Sequence, residues 1–329
     1  MTAPIPGDGR TAIGIDVGGT SIRAAAVDAD GLVVDSARTQ TPASAGALED
    51  ALHRLVDHLR ARNDVVAVGL AVAGFLTEDR TRVRFAPHLA WVDTPLAATL
   101  TARFGLPVVL EHDANAAAWA EYRFGAAAGS RVTVMITLGT GIGAALLLDG
   151  RIFRGAHGVA PELGHLQVVP DGRPCACGKR GCWETYCSGT GLVDTAVELL
   201  AADPGRSVLA ADVDTDPGSL TGRRIAGAAQ DGDPVAVAAF ADFARSLGLG
   251  LALVADVYDP ELVVIGGGVS GSAPLFLDDA RERYAAAVTG AGHRPLARVR
   301  VAQLGDAAGL IGAADLARAA VSGSWIAAE

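Results

Sequence analysis

Two stretches of this chain share one pattern: an apolar run, a tight glycine turn and a second apolar run. Residues 11–17 run into Gly18-Gly19, and residues 21–27 resume the apolar pattern. Residues 131–150 do the same around Leu138-Gly-Thr140-Gly141-Ile-Gly143. A turn this short joins neighbouring antiparallel strands. The repetition predicts an internal duplication, one strand–turn–strand unit opening each half. A chain of 329 residues also exceeds what one core usually supports, so two lobes are expected.

Strand and helix patterns alternate along the rest. Positions 48, 52, 55, 56 and 59 are apolar, one face of a helix over 48–60. Residues 65–72 read as a buried strand leading into Ala73-Gly74, 106–110 as another strand and 115–124 as a helix. Residues 201–222, rich in Asp, Gly, Pro and Ser, read as a surface loop. A long apolar helix is expected over 234–257, then a strand over 261–265 that empties into Gly266-Gly267-Gly268. The class is α/β.

Composition narrows the function. Half the residues are hydrophobic and 19% are charged, ample for a packed interior. The formal charge of −10 argues against a nucleic-acid partner, which needs a basic surface. Residues 1–10 have neither the charged nor the apolar region of a secretory leader. The longest uncharged run, 132–148, is too short and too glycine-rich for a membrane span. A cytoplasmic protein without a membrane partner is expected. There is no G-x-x-x-x-G-K-[ST], and Gly139-Thr-Gly-Ile-Gly143 continues into a strand-like run where a dinucleotide fold needs a helix.

Three glycine turns follow apolar strands, and such turns can bring backbone N–H groups up to an anion. Gly18-Gly19-Thr20 adds a hydroxyl, and Asp16 just before it is suited to holding Mg2+ through water. Thr140-Gly141 offers a matching turn from the second half. At Glu111-His112-Asp113-Ala-Asn115 a strand delivers Asp113 toward the start of a helix. Asp113 is then either a helix cap or a base that accepts a hydroxyl proton during phosphoryl transfer.

Three of the four cysteines fall within eight residues, Cys175-x-Cys177-x4-Cys182, ten positions after His165. Buried thiols are one reading; a tetrahedral Cys3His zinc shell is the one the spacing favours. Cys187 reads as a free core thiol. Glu162 and Glu184 flank the cluster, so the metal would stiffen a loop that carries polar groups toward a ligand.

Taken in order, Asp16-Val-Gly-Gly-Thr-Ser-Ile-Arg23, Glu111-His-Asp-Ala-Asn-Ala-Ala-Ala118, Leu138-Gly-Thr-Gly-Ile-Gly143, Glu162-Leu-Gly-His165 and Cys175-x-Cys-x4-Cys-Trp-Glu184 resemble the ROK family, and within it the bacterial glucokinases. Val264-Ile-Gly-Gly-Gly-Val-Ser270 and Gly309-Leu-Ile-Gly-Ala-Ala-Asp315 are similar to actinobacterial members, and the likeness runs from about residue 11 to about 316. The resemblance implies an actin-like ATPase fold of two ribonuclease-H-like lobes with a cleft between. The expected division is 1–117 plus 310–329 as a small lobe and 118–309 as a large one. It implies ATP-dependent phosphorylation of glucose at the 6-hydroxyl, with Mg2+, a structural zinc and Asp113 as base. Gly18, Gly19, Thr20, Thr140 and Gly141 would face the ATP phosphates, and Gly267 and Gly268 the adenosine. Glu162, His165 and Glu184 would hydrogen-bond the sugar, His165 while ligating zinc through its other nitrogen. Gly74 and Pro87-His88-Leu89 would line the far side of the sugar. A homodimer or homotetramer follows from the same resemblance.

The chain departs from the group at His88 and His112, where Asn is common. An amide donates and accepts from adjacent atoms, whereas a neutral imidazole does so from two separated nitrogens. Another hexose (mannose, fructose or an N-acetylhexosamine) is therefore an alternative substrate. So is a non-catalytic sugar-sensing regulator, since the family includes repressors with a DNA-binding segment ahead of this domain; with the first strand expected near residue 11, no such segment is expected here. Polyphosphate-using relatives usually carry Asp where Asn115 stands, so ATP is the expected donor.

Overall fold

The computed structural model describes residues 10–203, 205, 207–215 and 218–323. Outside them lie residues 1–9, inspected above for a leader, residues 204, 206, 216 and 217 of the expected loop, and residues 324–329 of the expected small lobe.

The chain begins with β1 (Thr11–Val17), β2 (Ser21–Val27), β3 (Val33–Gln40), α1 (Ala45–Arg60) and β4 (Val65–Val72). Three short strands follow, β5 (Phe75–Leu76), β6 (Val83–Phe85) and β7 (Val92–Thr94), then α2 (Leu96–Phe104), β8 (Val108–His112) and α3 (Asp113–Phe124). The second series is β9 (Val132–Leu138), β10 (Ile142–Leu148), β11 (Arg151–Phe153), α4 (Glu184–Cys187), α5 (Gly189–Ala202), α6 (Ala210–Thr215), α7 (Gly222–Gln230) and α8 (Pro234–Tyr258). It ends with β12 (Leu262–Gly266), α9 (Leu277–Ala287), β13 (Arg298–Val301) and α10 (Ala308–Ser322).

Two five-stranded sheets have matching orders, β3-β2-β1-β4-β8 and β11-β10-β9-β12-β13; β5-β6-β7 form a third, small sheet. In the first, β1–β2 and β2–β3 are antiparallel while β1–β4 and β4–β8 are parallel. The duplication expected from the glycine turns thus extends to whole sheets. Part of the expected surface loop is helical, as α6.

The chain divides into two compact units: Met1–Met135 with Ala145–Pro161 and Ala302–Glu329, and Ile136–Ala144 with Glu162–Val301. The boundaries expected after 117 and 309 both fall inside helices, α3 and α10.

In the first unit, α1 buries Leu48, Leu52, Leu55, Val56 and Leu59, the five positions its periodicity selects, among Ile13, Ile15, Val17 and Leu70. Ser44 caps it, accepting from the Ala47 N–H. Helix α10 packs on α3, β1 and β4. Backbone meets backbone there because side chains are missing. A Cβ on Gly14 would lie 1.8 Å from the Leu310 carbonyl oxygen, one on Gly69 1.9 Å from that of Ala313, and one on Gly312 1.7 Å from that of Ala116.

In the second unit, α8 is the one helix among the described residues long and apolar enough to cross a membrane, and 56% of its most apolar window is buried. It packs against α4, α5, α7 and α9 as a core helix. Phe240 and Phe243 on it meet Phe276, with ring centroids 6.3 and 4.9 Å away. Gly250 makes room for the Trp183 indole, 1.9 Å from where a Cβ would stand.

Candidate active site

Parallel strands β1, β4 and β8 end side by side in the first unit, and the loops beyond them carry its polar groups. Asp16 lies opposite Arg23 on β2 and is ion-paired with it. Burial pushes the Asp16 carboxyl up; the Arg23 hydrogen bond and charge pull it back, and the negative charges of Asp113 and Asp306 push it up again. The Gly18 N–H donates to the Ser21 carbonyl at 3.2 Å, closing the Gly18-Gly19-Thr20 turn, and the Thr41 hydroxyl donates to the Gly18 carbonyl at 2.6 Å.

Helix α3 begins at Asp113, two residues earlier than expected. His112 occupies the cap position without a side-chain cap bond. Asp113 instead accepts the Ala114 N–H through Oδ1 at 2.7 Å, and the His112 Nε2 lies 3.3 Å from the same oxygen. No hydrogen bond among the described residues engages Oδ2, and the side chain is 43% exposed. An oxygen so placed can take a proton. His88 abuts the first turn, since a Cβ on Gly19 would lie 2.8 Å from the His88 Cβ. Gly74 leaves space for Ala86, whose Cβ would be 2.8 Å from a Gly74 Cβ.

Beneath Asp113 lies a buried carboxylate. Glu111, 1% exposed, accepts from the His112 N–H at 3.1 Å and the Asn115 Nδ2 at 2.9 Å through Oε1. Its Oε2 accepts from the Arg154 Nε at 3.1 Å and Nη2 at 2.5 Å, and the Arg80 Nη1 is 3.5 Å away. Burial pushes the Glu111 carboxyl up, but Arg154, Arg80 and Asn115 outweigh it and hold it below the ordinary glutamate range.

The second unit carries the zinc candidates. Ligand atoms of His165, Cys175, Cys177 and Cys182 lie within 4.8 Å of one another. The Cys177 and Cys182 sulfurs are 3.6 Å apart, and the Cys175 Sγ is 3.7 Å from the His165 Nδ1. A tetrahedral zinc shell with bonds of about 2.3 Å to sulfur and about 2.0 Å to nitrogen has edges of about 3.8 and 3.5 Å. Burial pushes the Cys175 and Cys182 thiols above their ordinary range, so a bound cation would be what brings them to the thiolate form that ligates metal. The donor set fits zinc. Gly181 lets the knuckle fold, because its Cβ would stand 1.6 Å from the Val169 carbonyl oxygen. Cys187 is a free, fully buried thiol outside the group, as expected.

Glu184 links this cluster to the second glycine turn. Its Oε1 lies 3.1 Å from the Cys175 Sγ and 3.3 Å from the His165 Nδ1, while its Oε2 accepts from the Ile142 N–H at 3.3 Å. Gly141 leaves room for that carboxylate, as its Cβ would lie 2.5 Å from Oε2 and would displace the Glu184 side chain. The His165 Nε2 faces the Glu162 Oε2 at 3.9 Å, so the two ring nitrogens point to different partners. Trp183, just before Glu184, is buried and donates to the Ser246 carbonyl at 2.9 Å.

Positive φ turns out to matter at only one of the expected anion-binding glycines: Gly267 has φ +81°, with the Leu138 carbonyl 2.5 Å from where its Cβ would be. Gly18, Gly19, Gly139, Gly141 and Gly268 have ordinary φ. Gly18, Gly19 and Gly141 serve by leaving space, and nothing stands within 4 Å of a Cβ on Gly139 or Gly268. Within the first unit the fold brings Asp16, the Gly18–Thr20 turn, Gly74, His88, His112 and Asp113 to one end of a sheet. Within the second it brings Glu162, His165, Glu184 and the three cysteines together beside Thr140-Gly141. Arg80 and Arg154 were not foreseen; no local signal marks them, since their partner is distant in sequence.

Similarity to known proteins spans nearly the whole chain. The ROK family profile matches residues 12–320. A glucokinase of Streptomyces coelicolor is 45% identical over 307 residues, covering 93% of this chain and 97% of that one. A crystal structure of a ROK family glucokinase from Streptomyces griseus, in complex with glucose and AMPPNP, superposes with a TM-score of 0.84 at 44% identity, covering 94% of this chain and 99% of that one. A ROK family transcriptional regulator, a homologue of the E. coli MLC protein, superposes with a TM-score of 0.85 at 26% identity over 97% of this chain and 81% of that one. With these matches spanning nearly its whole length, and with the actin-like ATPase-type fold they share, the chain belongs to the ROK family.

Proposed function

We infer that this protein transfers the γ-phosphoryl group of ATP to the 6-hydroxyl of glucose. The observation that carries this reading is the likeness, over nearly all of both chains, to the glucokinase bound to glucose and AMPPNP. In this mechanism Asp113, through its open Oδ2, takes the proton from the attacking hydroxyl. The Gly18–Thr20 and Thr140-Gly141 turns hold the phosphates, and Gly267 and Gly268 receive the adenosine side. Asp16 would hold Mg2+, which when bound would neutralise charge on the phosphates. Glu162, His165 and Glu184 hydrogen-bond the sugar hydroxyls, Gly74, His88 and His112 line the sugar's other side, and zinc on His165, Cys175, Cys177 and Cys182 braces that loop.

His88 and His112 favour a second reading in which the mechanism stands and the preferred hexose changes. We also expect a cytoplasmic homodimer or homotetramer, which light scattering tests. The deciding experiment measures ADP release with ATP and Mg2+ across glucose, mannose, fructose, N-acetylglucosamine and no sugar. Glucose-dependent turnover that disappears in Asp113→Asn, with glucose still bound calorimetrically, supports the reading. Turnover with a different sugar moves the specificity to His88 and His112. Binding of glucose without turnover, in protein that holds zinc, refutes the kinase assignment and favours a sensor.

A further inference from the structure

Resting on the reading of Asp113 as the base, we propose that Glu111 is its positioning residue. It is a buried anion that fixes the strand-to-helix corner from which Asp113 projects and ties that corner to two other segments of the first unit. The geometry is that of a peg. The carboxylate takes a backbone N–H from the residue before the base, His112, and a side-chain N–H from Asn115, two residues after it. Among the described residues, the hydrogen bond and the ion contact of Asp113 itself are local, with Ala114 and His112. Its orientation is therefore inherited from the corner, where the cap residue His112 makes no side-chain cap bond and its ring reaches only Asp113 itself, at 3.3 Å.

The other two partners come from far along the chain. Arg80 lies in the β5–β6 turn with φ +57°, a conformation non-glycine residues seldom adopt. Asp79 orders that turn by accepting from the Thr77 hydroxyl at 2.6 Å and the Thr81 N–H at 3.1 Å. Arg154 follows β11 and engages both Glu111 oxygens, at 3.4 and 3.1 Å from Nε. The two segments also touch, since a Cβ on Gly158 would lie 3.2 Å from the Glu78 backbone. A 1% exposed carboxylate is expensive to bury, and a pair of aliphatic side chains would fill the space more cheaply if packing were the sole requirement. What a bidentate guanidinium adds is direction. The corner is thus held from both ends and from both sides, and a shift of the base by roughly 1 Å costs about 10²-fold in rate.

The test is steady-state kinetics on Glu111→Gln, Glu111→Asp, Asp113→Asn and the double variant E111Q/D113N, each checked for fold by circular dichroism and for zinc content. Glu111→Gln is expected to lower kcat about 10²-fold with the KM for ATP unchanged, and Glu111→Asp to recover part of the loss. Added to Asp113→Asn, it should lower the residual rate no further, because it acts through the base. A kcat within twofold of the parent, or the same fold-loss on top of Asp113→Asn, overturns the proposal. If Glu111→Gln does not fold, Arg80→Gln, whose side chain is 28% exposed, is judged by the same two criteria. An unimpaired Asp113→Asn refutes the base and this proposal together; an unimpaired Glu111→Gln refutes this proposal alone.

Discussion

Replacing Cys177 by Ser tests the zinc brace most cleanly, because Cys177 is the exposed member of the set and Cys175 and Cys182 are buried. The substitution removes one charged ligand and little packing. If four ligands share a structural zinc free energy of about 10–16 kcal/mol, one thiolate carries roughly 3 kcal/mol, about 10²-fold in affinity. The consequence for the sugar is uneven. Glu184 follows Trp183, which stays anchored by the Ser246 carbonyl and the space at Gly250 whether or not zinc is bound. Glu162 and His165 bracket a single 3-10 turn, Leu163–His165, whose far end is tied by the Lys179 ammonium on the His165 carbonyl at 2.6 Å. That lysine sits inside the knuckle, so zinc loss frees the turn. Two sugar hydrogen bonds at about 1–1.5 kcal/mol each predict a glucose KM raised roughly 30- to 150-fold, with the KM for ATP unchanged. Metal content after dialysis against a weak chelator and glucose kinetics on the same sample are the assay. Stoichiometric zinc with a normal glucose KM refutes the brace. A Glu184→Gln variant that loses zinc as completely as Cys177→Ser would refute the claim that Glu184 is held independently of it.

The remaining predictions concern packing, specificity and pH. Gly312→Ala puts a Cβ 1.7 Å from the Ala116 carbonyl and should destabilise by about 3 kcal/mol in urea unfolding, while Gly309→Ala in the same helix, with nothing within 4 Å, should be neutral or stabilising by up to about 1 kcal/mol; equal effects of the two would refute the close-approach argument. His112→Asn removes the 3.3 Å contact with Asp113 and should change the glucose-to-mannose ratio of kcat/KM by about tenfold, one hydrogen bond's worth; an unchanged ratio places specificity elsewhere. The Glu111 carboxyl is held below its ordinary value of 4.5, so its stabilisation is fully present above that pH and is lost as pH falls through the lowered value. Glu111→Gln should flatten that acid limb of the stability profile, and an unaltered limb refutes the assignment.

What was legible in sequence was local. The hairpins β1–β2 and β9–β10 each pair through a three-residue turn, the buried face of α1 repeats within one helix, and the zinc ligands fall between residues 165 and 182. The order of motifs resembled the ROK family because each motif is a contiguous run. The start of α3 was misplaced by two residues because Asp113 serves as its own first-turn acceptor, a choice made by side-chain geometry.

Other features were decided by tertiary structure alone. The purpose of Gly14, Gly69 and Gly312, the last of them inside a motif the sequence already offered, appears only when α10 lies against β1, β4 and α3. Arg80 and Arg154 carry no pattern, yet both reach Glu111, the latter across 43 residues. The amino-acid sequence by itself determined the strands, the turns and the metal knuckle, since these rest on backbone preferences and ligands close along the chain. Where Asp113 points depends on a corner whose charges meet only after the sheet has formed; the buried carboxylate of Glu111 acquires its partners from the fold.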